Sequence, residues 1–79
     1  MNKDRIFKQG LIAHKKDRLA ELEIKADRCR KDMNIYLFSY EGIKGMEYDK
    51  ARQAFEDLSR VVDEFNVIRE EVRRIEEEL

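Results

Sequence analysis

Residues 34–48, Asn34-Ile-Tyr-Leu-Phe-Ser-Tyr-Glu-Gly-Ile-Lys-Gly-Met-Glu-Tyr48, decide how the chain folds. They hold two of its three glycines, all three tyrosines and its densest apolar run. On either side the sequence reads as helix, and proline is absent. Glycine commonly ends a helix because it enters the left-handed region without steric cost. Gly42 takes that place after Tyr40, and Gly45 adds a second flexible point. The stretch therefore reads as a bend over about 42–46, between helices over about 4–41 and 47–79.

Upstream of the bend, apolar positions recur in alternating steps of three and four. They are Ile12, Lys15, Leu19, Leu22, Ala26, Cys29, Met33, Tyr36 and Tyr40, and only Lys15 is charged. This is the spacing of a coiled-coil seam. Asn2 or Asp4 supplies a cap, and Gly10 weakens the arm by about 1 kcal/mol relative to alanine. Downstream the stripe is Tyr48, Ala51, Phe55, Leu58, Val62, Phe65, Ile68, Val72, Ile75 and Leu79. Val62, Phe65 and Ile68 fall three apart twice, which predicts a local stammer. Using Val61 instead moves that irregularity without removing it. Glu47 and Asp49 fall in the first turn of the second helix, where negative charge suits the dipole.

An antiparallel hairpin requires facing positions to have nearly constant index sums. Pairing outward from the bend sets Tyr40 against Tyr48, Tyr36 against Ala51 and Met33 against Phe55. Cys29 then meets Leu58, Ala26 meets Val62, Leu22 meets Phe65 and Leu19 meets Ile68. Lys15, Ile12 and Lys8 face Val72, Ile75 and Leu79. Every sum is 87 or 88. An antiparallel dimer of one unbroken helix satisfies much of the same pattern; Gly42 and Gly45 favour the bend.

Charge follows the same division. Residues 1–32 carry ten Lys/Arg against six Asp/Glu, and residues 33–79 carry seven against twelve. The basic arm lies along the acidic one in this register. Glu76, Glu77 and Glu78, unfavourable at a helix C-terminus alone, come opposite Lys3, Arg5 and Lys8. Exposed pairs are each worth less than about 1 kcal/mol, so charge selects alignment more than it stabilises.

Seventy-nine residues bury a limited core, and one cysteine and one histidine exclude a disulfide framework and disfavour a zinc site. Partnering is then the route to stability. No run approaches the roughly 20 apolar residues of a membrane span, and the first residues lack the core of a secretory signal. An unpaired cysteine suits a reducing compartment, so a cytoplasmic location is expected.

The seam leaves apolar side chains over. Ile35, Leu37 and Phe38 surround Tyr36, while Ile43 and Met46 lie in the bend. Phe7, Leu11, Ile24, Ala54, Val61 and Val67 fall outside the strict stripe. Large exposed apolar patches mark interfaces. The expected fold is an all-α antiparallel two-helix hairpin that dimerises into a four-helix bundle. Candidate protein contacts are Ile35, Leu37, Phe38, Ile43, Met46 and Val61, with a further protein partner at the tip.

Catalysis has little to rest on. There is no phosphate loop, no nucleophile–histidine–acid set and no CxxC. Cys29 reads as a small buried hydrophobe and His14 as a solvated side chain. The glutamate runs lack the loop and glycine of a calcium site. Neither an enzyme nor a cofactor is expected. An alternative function is a small regulator binding nucleic acid, or the transcription machinery, through Lys15, Lys16, Arg18, Lys25, Arg28 and Lys31 or the hairpin tip. The pI near 5.9 and the interleaved acids weigh against phosphate binding.

Residues 44–52, Lys44-Gly-Met-Glu-Tyr-Asp-Lys-Ala-Arg52, resemble the passage from tip to second helix in bacterial transcript-cleavage factors, chiefly at Glu47-Tyr48 and Ala51-Arg52. Such factors insert an antiparallel coiled-coil hairpin into an RNA polymerase channel. The acidic pair they present at the tip falls here near Gly42 and Gly45, so the resemblance implies the shape and not the cleavage.

Overall fold

In the computed structural model, which describes residues 2–79, the chain doubles back once. Helix α1 runs over Asn2–Leu37 and helix α2 over Tyr48–Glu77, joined by a bend that contains a short 3-10 turn at Gly42–Gly45. The two arms form an all-α antiparallel hairpin measuring 64 × 14 × 13 Å. Asp4 lies in the first turn of α1. The side chain of Asn2, the other expected cap, lies outside the described residues.

The seam of α1 is the one its spacing predicts. Ile12, Lys15, Leu19, Leu22, Ala26, Cys29, Met33 and Tyr36 are all buried or half-buried, with Leu22 only 1% exposed. In α2 the observed seam is Ala51, Ala54, Leu58, Val61, Phe65, Ile68, Val72 and Ile75. Ala54 and Val61 stand where Phe55 and Val62 were expected. With that exchange the steps alternate three and four throughout, and no stammer is needed. Paired with α1, every facing position then has an index sum of 87. A seam holds one phase along its length, and alanines at 51 and 54 suit close approach of the arms near the bend.

Cross-arm ion pairs hold the same alignment. Lys8 meets Glu78 at 3.3 Å, Lys15 meets Glu71 at 2.5 Å, Lys16 meets Glu76 at 3.8 Å and Arg18 meets Glu64 at 2.7 Å. In each the cation is on α1 and the carboxylate comes from the second arm. Lys15 is the seam lysine: its stem lies in the stripe and its ammonium leaves it to reach Glu71. Glu77, expected opposite the basic start of α1, is taken instead by Arg73 one turn back on its own helix.

The bend departs most from expectation. α1 ends at Leu37, so Tyr40 lies outside the helix and is 96% exposed, and its pairing with Tyr48 is not formed. Two local competitors end the helix. The Ser39 hydroxyl accepts a hydrogen bond from the Glu41 amide at 3.0 Å, which offers the backbone a turn instead. The Glu47 amide donates to the Tyr36 carbonyl at 2.9 Å, satisfying one terminal carbonyl of α1 from across the bend. Gly42 has φ +67°, the left-handed geometry expected of it, but it opens the 3-10 turn and does not terminate α1. Gly45 packs so closely on Ser39 that a Cβ there would lie 2.1 Å from the hydroxyl oxygen. α2 then starts at Tyr48 with Asp49 in its first turn, while Glu47 precedes it and binds Lys50 at 3.1 Å.

Candidate interaction surface

The seam buries few large side chains. Among the described residues the buried apolar ones are Ile12, Leu22, Ala51, Ala54 and Val72, and of these only Leu22 is fully buried. Fourteen large apolar or aromatic residues are exposed among those described, nearly three for each one buried. Some lie at or beside the bend, where no helix faces them, Tyr48, Phe55 and Val62 lie at a seam flank of α2, and Ile6, Phe7, Ile24, Val67 and Leu79 are scattered over outer positions and the far end of the arms.

At the bend, Phe38 and Tyr40 stack edge to face with ring centroids 5.0 Å apart. Both are exposed, and Ile43 beside them in sequence is 88% exposed. Ile35 is exposed on the last turns of α1, and Leu37 and Met46 are each just over a third exposed. Five of the six candidate contact residues therefore remain on the surface. The sixth, Val61, is half-buried in the seam and lines a shared groove with Leu22, Ala26 and Phe65, which corrects its expected outward position. Cations cover part of the aromatic surface: the Lys50 ammonium lies 5.9 Å from the Tyr36 ring centroid, and the Arg52 guanidinium 4.9 Å from that of Tyr48.

The two long edges of the hairpin differ. Along one, Lys8–Glu78, Lys15–Glu71 and Arg18–Glu64 close the junction with charge. The hydrogen bond from Arg18 holds the Glu64 carboxyl below its ordinary range, and that bond, followed by one to Glu21, raises the guanidinium. Along the other edge, Tyr48, Phe55 and Val62 recur at seven-residue intervals and are all exposed. They border two apolar grooves, one with Met33, Leu37 and Ala51, the other with Leu22, Ala26 and Phe65. The sequence reading placed these three residues inside the seam and so missed the surface they make. Following Ala51-Ala54-Leu58-Val61 as the unbroken phase would have revealed it.

The basic candidates are largely engaged. Lys15, Lys16 and Arg18 pair across the hairpin, and Lys31 pairs with Asp27 at 2.9 Å. Asp27 also accepts from Arg30, which together with Lys31 lowers its carboxyl below the usual range. Cys29 is a free thiol half-buried in the seam and His14 is exposed. Among the described residues no three His, Cys, Asp or Glu side chains converge on a metal-sized site, and no helix is long and apolar enough to cross a membrane. Compared with known proteins, the chain matches no family model, no curated protein and no solved structure.

Proposed function

We propose that the protein is a non-enzymatic adaptor: a helical hairpin that works by associating with itself and by presenting its bend to a second protein. One observation carries the reading. Among the described residues the exposed large apolar side chains outnumber the buried ones, and nine of the fourteen lie at the bend or along one edge, where water contact is unfavourable at about 25 cal/mol per Å². Two helices offer no enclosed reaction site, and the charged edge is already neutralised by its own pairs. The same pairing weighs against the nucleic-acid reading at Lys15, Lys16 and Arg18, where a phosphate would have to displace Glu71, Glu76 or Glu64 from its cation; Lys25 and Arg28 are exposed.

Sedimentation equilibrium over a wide concentration range tests the association, with circular dichroism to confirm helicity. The expected result is a helical chain whose mass rises to that of a dimer. A helical monomer at the highest concentration would refute it. A gel shift at low salt addresses the phosphate alternative, and salt-sensitive retention of DNA or RNA would displace the adaptor reading.

A further inference from the structure

We infer that two hairpins pair antiparallel through the edge carrying Tyr48, Phe55 and Val62, on a two-fold axis passing beside Phe55. This rests on the self-association proposed above and specifies its face and direction.

Three observations support it. The first is asymmetry. One edge of the seam is closed by Arg18–Glu64 and Lys15–Glu71, while the other, bridged by Lys16–Glu76 only far from the bend, exposes three large side chains over open, largely apolar grooves. Only the second gains by desolvation.

The second is self-complementarity. Tyr48 and Val62 are each seven residues from Phe55. A two-fold axis at Phe55 sets Phe55 against its own copy and each Tyr48 against the other chain's Val62. A two-fold interface requires this reciprocity. The rings of Tyr48 and Phe55 are also the residue types that dominate interface energetics.

The third is charge and area. Further along the same edge the residues become Arg69 and Glu76 on α2 and Lys16 on α1. Parallel packing would lay Arg69 of one chain beside Arg69 of the other, the Lys16 charge being already paired with Glu76. The antiparallel arrangement carries both beyond the partner's bend. About half of the 64 Å length then overlaps. At a width of 14 Å that is roughly 450 Å² from each chain before surface relief, or roughly 900 Å² in total, in the range of weak, transient interfaces. The dimer is therefore a reversible one.

The test uses the full chain. Phe55→Glu is expected to remain helical, because Phe55 is 55% exposed in the single hairpin, and to weaken dimerisation about tenfold or more. Val67→Glu, on an exposed position of α2 away from this edge, serves as the control and should leave association unchanged. Direction is read by crosslinking in a Cys29→Ala background. Phe55→Cys should form a disulfide with its own copy, and Tyr48→Cys should couple to Val62→Cys when the two chains are mixed. A wild-type dimer that survives Phe55→Glu, or Tyr48→Cys coupling to itself in preference to Val62→Cys, would overturn this face while leaving self-association standing. A monomeric wild-type chain would overturn both.

Discussion

Leu22→Ala removes the most deeply buried large side chain of the hairpin. Leu22 is 1% exposed and lines a groove with Ala26, Val61 and Phe65. Buried leucine truncations cost about 2.7–5.0 kcal/mol, increasing with the cavity left behind. This site borders an open groove, so Val62 and Phe65 can relax into the vacancy and water can enter it. The loss should therefore fall near the lower end, about 2–3 kcal/mol. A chain of this size has a total stability of about 4–12 kcal/mol, so the change removes a large share of it. At about 4–8 °C per kcal/mol the midpoint should fall by about 10–20 °C. Far-UV circular dichroism melts at one fixed protein concentration read this directly, because the proposed association would itself raise the midpoint. Ile24→Ala, two residues away and 68% exposed, is the matched control and should cost less than about 0.5 kcal/mol in the single hairpin. If the two variants melt together, or Leu22→Ala falls by less than about 4 °C, the seam is not what holds the arms together.

The remaining predictions concern the backbone, the seam lysine and acid. Gly10 sits inside α1 with open space where a Cβ would project, so Gly10→Ala should raise stability by about 0.5–1 kcal/mol, whereas Gly42→Ala should lower it by about 1–2 kcal/mol because φ is +67° there. Thermal melts of the two should shift in opposite directions, and equal shifts would contradict the left-handed bend. Lys15→Met should leave the urea midpoint unchanged or raise stability by about 1 kcal/mol, since an apolar residue in the seam avoids desolvating an ammonium; a clear loss would show that Lys15–Glu71 stabilises the hairpin on balance. Glu64 is held below its ordinary carboxyl range by Arg18, so its contribution is present above the unfolded value and is lost as pH falls through the folded one. The melting temperature should therefore drop on acidification below about pH 4, and Glu64→Gln should flatten part of that drop. Identical pH profiles for Glu64→Gln and the wild-type chain would show that this pair does not link the arms.

How far the fold could be read from sequence depends on which competition decided each element. α1 was legible because every seam position but Lys15 is apolar, so period and hydrophobicity agree. Its end was not, because Tyr36 and Tyr40 continue the period while Ser39 and the Glu47 amide, which is distant in the helix register, stop it. In α2 the two criteria conflict at positions 54–55 and 61–62. Size favours Phe55, and at Val61 or Val62 it decides nothing. Continuity of phase favours Ala54 and Val61, and continuity prevails, because a slip of one residue would rotate the following turns out of the seam. That outcome also makes the candidate interface. A phenylalanine displaced from the seam onto its flank is poorly explained by the needs of a single hairpin, where a charged flank residue such as Arg69 would serve. Tyr48, Phe55 and Val62 repeat that choice over three successive heptads, on the edge that carries no cross-arm pair at their level. The position that sequence misassigned and the exposed apolar edge are thus one feature, and both follow from alanine taking the place of phenylalanine in the seam.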